Sequence, residues 1–265
     1  MAKYGFIGIG NMGGAIARAV VQSVDPARVL VAASHPENAR RFSEIHGTVP
    51  SDNKTIAREA KFVVLGVKPQ YMEEVLRELK PILEVRTDCV LVTMAAGLTM
   101  NSISCMVGGG YPVIRIMPNT PARIGQGVIL YDYNDRVLRE DVDTFLKAMA
   151  PAGLIDHLPE KLIDAGSAVS GCGPAFVSLF IEALADGGVA CGLPRDRALE
   201  YAAQTVMGTA MLMLQTHSHP GQMKDAVCSP GGTTIQGVRM LERGGFRGDV
   251  MEAVIAAYEK NKEFH

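Results

Sequence analysis

Two glycine-rich segments hold the residue types from which chemistry could be built. The first is Gly8-Ile9-Gly10-Asn11-Met12-Gly13, directly after an apolar stretch that begins at Tyr4. The second is Ser229-Pro230-Gly231-Gly232-Thr233-Thr234, ahead of a helical pattern over residues 235–242. In the first, Gly8 permits a tight turn, Gly10 lets the backbone approach a pyrophosphate, and Gly13 lets a helix pack against the strand. Helix-start amides and the positive end of the helix dipole then face the phosphates. A bare glycine pattern can also be a plain strand–helix turn. Its place inside a strand–helix–strand unit favours dinucleotide binding. In the second segment, the amides of Gly232, Thr233 and Thr234 and the Ser229 hydroxyl would form a neutral nest for a carboxylate. An ordinary threonine cap explains one threonine but not the whole run. A dinucleotide site and a compact anion site together point to a reductase.

Other candidates fall at strand ends, where ligands of such sheets bind. The second strand ends in Ser34 and His35, with no carboxylate to take a ribose 2′-OH. Both can donate to a 2′-phosphate, and Arg40 and Arg41 follow within a turn or so, so NADP(H) is favoured over NAD(H). The bland reading is that Ser34 and His35 cap the helix opening at Pro36. Lys68 closes the third strand beside the cofactor, or is a solvated loop lysine. Ala95-Ala96-Gly97 ends the fourth with small residues that leave room for a nicotinamide. Asn119, between Pro118 and Pro121, is either presented to that end of the cleft or part of a rigid turn.

The elements that must position these residues alternate. Strand patterns cover residues 4–9, 29–33, 62–67, 90–95, 113–117, 127–131 and 154–157. Helical patterns cover 14–24, 36–46, 72–83, 100–107 and 137–149. The expectation is an open, parallel, doubly wound Rossmann-like sheet over 1–158. From about Pro159 strand signals stop, and an all-helical domain over 159–265 is expected, with helices at 175–189, 195–214 and 250–262. The first two are apolar nearly all round, which demands burial on all sides. So few residues cannot supply it, so a second copy of the chain is expected to cover them.

Composition sets further bounds. Formal net charge is −2 over 265 residues, which offers no basic field for nucleic acid or an anionic membrane. Glu182 and Asp186 are expected to break the longest apolar run before it could span a bilayer. The segment Met1 to Ile7 reads as strand rather than signal peptide. Five scattered cysteines without Cys-x-x-Cys fit reduced thiols and a cytoplasmic setting. No metal site is expected: His217 and His219 share a loop but lack further ligands at suitable spacing.

The chain resembles the pyrroline-5-carboxylate reductases over nearly its full length. The resemblance rests on the residue 6–13 loop, Val67-Lys68-Pro69-Gln70, Met94-Ala95-Ala96-Gly97, and Met117-Pro118-Asn119-Thr120-Pro121. It continues through Ser170-Gly171-Cys172-Gly173-Pro174-Ala175, Asp186-Gly187-Gly188, His219-Pro220-Gly221-Gln222, Lys224-Asp225 and the 229–234 loop. It implies a Rossmann domain and a helical domain that interlocks between subunits, as dimers that often build decamers. It implies that Gly8 to Gly13, Asn53, Val67, Lys68 and Ala96 contact the cofactor, and that Glu160 lies near the substrate. His35 stands where relatives often carry a small or basic 2′-phosphate contact, Cys172 where a serine is usual, and Ala226 where some carry an asparagine. The implied reaction reduces 1-pyrroline-5-carboxylate to L-proline, the loop amides holding the carboxylate and Thr234 hydrogen-bonding the ring nitrogen. Two rivals remain at this point. A β-hydroxyacid dehydrogenase needs a lysine base on the helix after the domain junction, and no lysine stands between Lys161 and Lys224. A non-catalytic NADP(H)-sensing module would not need the second loop.

Overall fold

The structure, a computed structural model, describes residues 3–263. Met1, which opens the strand-rather-than-signal reading, and the outermost residues of both expected domains lie outside the described residues. The chain divides into two compact units, Met1–Cys172 with Ala257–His265, and Gly173–Ala256.

The first unit runs β1 (Tyr4–Ile7), α1 (Asn11–Val20), β2 (Val29–Ala32), α2 (Pro36–His46), β3 (Val49–Pro50), α3 (Asn53–Glu59), β4 (Phe62–Leu65) and α4 (Pro69–Leu83). It continues with β5 (Val90–Thr93), α5 (Met100–Met106), β6 (Val113–Pro118), β7 (Gly127–Tyr133), α6 (Arg139–Met149), β8 (Gly153–His157) and α7 (Glu160–Ser170). The eight strands lie in the order β3-β2-β1-β4-β5-β6-β7-β8. Strand order reverses at β1, so a crevice opens where β1 and β4 end side by side, Ile7 opposite Leu65. Alternate residues of each strand serve opposite faces. Phe6, Val31, Val64 and Val92 pack with Ile16, Phe42 and Phe145 on one side. Ile7, Val63, Leu65 and Leu91 pack with Ile56, Met72, Leu76 and Leu79 on the other.

One pair departs from the expected all-parallel sheet. β6 and β7 are antiparallel, with Ile116 opposite Tyr131. A 3-10 turn, Thr120–Ile124, is the main element joining them, and that connection is too short for a parallel crossover. β3 and α3 were not legible in the sequence pattern, being too short to show a period. α3 is fixed by its cap: Asp52 Oδ1 accepts from the Thr55 amide at 2.9 Å.

α7 also escaped the sequence pattern. Ile163 is fully buried beside Met117 and Leu130. A Cβ at Gly166 would lie 2.5 Å from Leu130 Cδ1, so the helix packs closely on β7 there and a larger residue would have to displace the ends of that leucine side chain. In the fold, α7 groups with the sheet.

The second unit holds α8 (Gly173–Ala190), α9 (Arg195–Thr216), α10 (Pro220–Ala226), α11 (Thr233–Arg243) and most of α12 (Phe246–Lys262), whose residues from Ala257 group with the first. α8 and α9 meet through Ala185, Ala198 and Ala202, with Ile181 and Val189 beside them. Little else is covered: Leu179 is 66% and Leu214 68% exposed. So much apolar surface marks an interaction face. By length and composition, Glu160–Ala190 is apolar enough to cross a membrane, so Glu182 and Asp186 do not disqualify it as expected. It is two helices, interrupted at Gly171 and Cys172.

Asp52→Ala should cost about 1 kcal/mol at neutral pH, the usual worth of an N-cap. The amide and hydroxyl of Thr55 hold the Asp52 carboxyl below its ordinary pKa. A lowered folded-state value means the contribution is present above about pH 4 and is lost as pH falls through that lowered value. Urea unfolding of both proteins across this range should show the two curves converging at acid pH. A constant gap would remove the cap from the account.

Candidate functional site

β1 stops at Ile7 because Gly8 takes φ +91°, a conformation glycine tolerates best. Its amide donates to the Ala32 carbonyl at 2.9 Å, tying the loop to β2. A Cβ at Gly13 would lie 2.0 Å from the Gly8 oxygen, and one at Gly66 2.2 Å from the same atom. Three backbones therefore meet with no room for side chains. Gly66 went unremarked in the sequence, where it is only a glycine ending a strand. Gly10 behaves differently: a Cβ there would meet nothing within 4 Å, so its free side is open for a ligand. Gly10 is the N-cap of α1 and makes no side-chain cap hydrogen bond. The amides of Asn11, Met12 and Gly13 thus lack intrahelical partners. A pyrophosphate fits such a cradle.

A cavity of about 520 Å³ runs from this loop along α1 and α2, lined by Gly8, Ile9, Gly10, Ser34, Val67 and Lys68 among others. Arg18, Arg41 and His46 also line it, and no carboxylate does among the described residues. Burial and the neighbouring Arg18 charge lower the His46 pKa. Burial, and then Arg123, lowers that of Arg18. The cavity is thus electropositive and suits a polyanion carrying an extra phosphate. Ser34 lies in its lining as expected. His35 does not: it is exposed, with Nδ1 3.8 Å from Glu37 Oε1. Arg41, which the sequence offers only as a neighbour of Ser34 and His35, takes a place in the lining. Asn53, the first residue of α3, and Pro69, the first of α4, are outside the lining.

At the next strand ends, Ala95 is buried, Ala96 is exposed and Gly97 turns with φ +75°. Asn119 is committed to backbone on both sides. Its Oδ1 accepts from Val128 and its Nδ2 donates to the Ser170 carbonyl, each at 2.8 Å. This favours the rigid-turn alternative over presentation to a cofactor. Glu160 uses one oxygen on the protein: Oε1 accepts from the Met100 amide at 2.7 Å and lies 3.4 Å from Arg115 Nη1. Arg115, which the sequence pattern hid inside a strand, is 1% exposed and also donates to Asp164 Oδ1 at 2.9 Å.

In the second unit, Gly231 turns with φ +68° and Gly232 is the N-cap of α11. The Gly232 amide donates to the Ser229 carbonyl at 3.0 Å. It is therefore spent, contrary to the expected nest. The remaining open amides are those of Thr233, Thr234 and Ile235. No side chain caps this helix, and both threonines are exposed. The ordinary threonine cap is thus absent. No group of three or more potential metal-ligating side chains occurs among the described residues.

Residues 160–264 match the family model for pyrroline-5-carboxylate reductase dimerisation, and residues 3–97 match that for NADP oxidoreductase, coenzyme F420-dependent. The chain is 43% identical to the pyrroline-5-carboxylate reductase of Pisum sativum, covering 98% of this chain and 94% of that protein. It is 39% identical to the Escherichia coli pyrroline-5-carboxylate reductase, with 98% and 97% covered. Among solved structures, the Plasmodium falciparum pyrroline carboxylate reductase with NADP bound superposes with a TM-score of 0.89 at 33% identity, covering 99% and 98% of the two chains.

The two glycine environments separate stability from binding. Gly66→Ala should lower unfolding free energy by about 1–3 kcal/mol, the usual cost of overpacking. Gly10→Ala should leave the melting temperature near wild type yet weaken NADPH binding, followed by cofactor fluorescence. Equal effects of both on stability would refute the assignment of Gly10 to the ligand side.

Proposed function

The chain belongs to the pyrroline-5-carboxylate reductase family, and we infer from that premise how its own residues run the reaction. It is an oxidoreductase that reduces 1-pyrroline-5-carboxylate to L-proline with NADP(H) as the preferred cofactor. The observation that carries this is the near-full-length match to the named reductases, which spans both glycine loops. The electropositive cavity agrees with the preference for NADP(H). Neither rival is favoured.

NADPH, when bound, supplies the hydride for the C=N bond. The amides of Asn11, Met12 and Gly13 hold its pyrophosphate, and Ser34 and Arg41 serve the adenosine end. In the substrate loop, the amides of Thr233, Thr234 and Ile235 receive the carboxylate. The Thr234 hydroxyl hydrogen-bonds the ring nitrogen, which must be protonated for the adjacent carbon to accept hydride. Threonine is a poor general acid by pKa, so Thr234 orients the ring and relays a proton from water. Orientation then supplies most of the acceleration. Ser229 shapes the turn, its oxygen standing 2.4 Å from where a Gly232 Cβ would be.

The protein works as a homodimer in the cytoplasm, with assembly to a decamer as a further stage. The exposed apolar faces of α8 and α9 support the dimer, and a second copy is their occupant. Light scattering should give a particle of at least two chains, and a well-folded monomer at low concentration would overturn this.

Turnover of the imine with NADPH, giving proline, tests the function. No turnover with either nicotinamide cofactor would sink it. Thr234→Ala should then lower kcat/KM by roughly 10- to 150-fold, matching about 1.5–3 kcal/mol for a hydrogen bond to a charged group. NADPH binding should be nearly unchanged. Thr233→Ala should cost much less, since alanine keeps the amide. If Thr233→Ala is the more damaging, the roles are exchanged. If neither matters, the loop is only a turn.

A further inference from the structure

We propose that a second cavity, between α1 and the turn Thr120–Ile124, binds a phosphate-type oxyanion, and that this anion weakens the hold on NADP(H) through a shared arginine. The coupling rests on the NADP(H) reading; the site itself does not. The cavity measures about 510 Å³ and is lined by Arg18 of α1 and by Thr120, Pro121, Arg123 and Ile124 of the turn. Its polar side chains are two guanidiniums and one hydroxyl, and no carboxylate lines it among the described residues. Guanidiniums only donate, so this lining asks for a negative ligand rich in acceptors. Pro121 and Ile124 add apolar wall, and the volume is in the range of sites for small organic molecules, so a phosphate ester fits as well as free phosphate.

Arg18 carries the argument. It stands in α1 between Ala17 and Ala19, both buried, and is itself half-buried. Its backbone carbonyl accepts from Gln22, but its guanidinium has no ion pair or hydrogen bond among the described residues. Other cations drawn out of water are paired: Lys61 with Asp141 at 2.7 Å, Arg86 with Asp88 at 2.8 Å and Arg115 with Asp164 at 2.9 Å. The neighbouring charges at Arg18 have its own sign. Burial and then Arg123 lower its pKa, and Arg18 helps to lower that of His46. Like charges held together without a counter-charge cost stability, and an oxyanion between the guanidiniums cancels that cost. Arg18 also lines the dinucleotide cavity. One guanidinium cannot fully serve two anions, and the anions repel each other, so each weakens the other by the same factor. Arg123 lies outside the dinucleotide lining and reports on the second cavity alone.

The test follows NADPH binding by cofactor fluorescence as inorganic phosphate replaces chloride at constant ionic strength. The apparent dissociation constant should rise and then level at about fivefold, the low end for coupled sites. A ceiling marks a second site, because competition for one site has none. Without phosphate, Arg123→Gln should bind NADPH as wild type does. It should need about 10- to 150-fold more phosphate for half the effect, as for one lost hydrogen bond to a charged group. Glycerol phosphate then identifies the source: a lower half-point than inorganic phosphate makes the occupant an organic ester, a higher one makes it free phosphate, and both support the site. Weakening that has no ceiling, or is equal in Arg123→Gln, would put the phosphate in the dinucleotide cradle and overturn the proposal. No change as phosphate replaces chloride would leave only screening and overturn it too. If wild type binds no NADPH, the cofactor reading fails and the site is read by melting temperature. Phosphate should then stabilise wild type and not Arg123→Gln, and equal stabilisation of the two would overturn the site.

Discussion

The rest of the first unit depends on one steric constraint, the meeting of three backbones at the Gly8 carbonyl. A Cβ at Gly13 or at Gly66 would lie at 2.0 or 2.2 Å from that oxygen, so β1, α1 and β4 close on one another only as glycines. The contact fixes where α1 starts and which way it points. That direction aims open amides at the crevice made by the reversal of strand order. The ligand cradle and the sheet's central packing are therefore the same piece of geometry, viewed from its open and its closed side.

Much of this was legible in the sequence because the signals are local. A glycine spacing, a run of β-branched residues or a Pro36 at a helix start speaks through near neighbours. The strands with continuous apolar character and the long helices fell where their periodicity put them. What escaped depends on partners far along the chain. The place of α7 depends on Ile163 packing beside Met117 and Leu130, and no pattern within residues 160–170 announces it. The reversal at β6–β7 is set by the length of a connection rather than by either strand.

The site divides in the same way. Loop residues such as Gly8, Gly10 and Ser34 could be picked out by position. Arg115 could not, since nothing within Val113–Pro118 announces the carboxylates of α7 that it meets. Asn119 was singled out for its chemistry, yet its polar atoms are spent on backbone groups of neighbouring elements. Gly232 shows the same effect on a smaller scale, its amide taken by the turn it helps to make. A residue type states what a side chain could bind; only the fold states what has already bound it.

The missing side-chain cap on α1 has a consequence for the protein's lifetime. A helix start left without internal partners is completed by whatever anion occupies it, so the nicotinamide dinucleotide acts as a removable part of the fold. A ligand bound only by the folded chain, at a hundredfold excess over its dissociation constant, adds about 2.7 kcal/mol to unfolding. Resistance to heat and to proteases is then not a constant of the polypeptide. It rises with the concentration of the dinucleotide, by mass action.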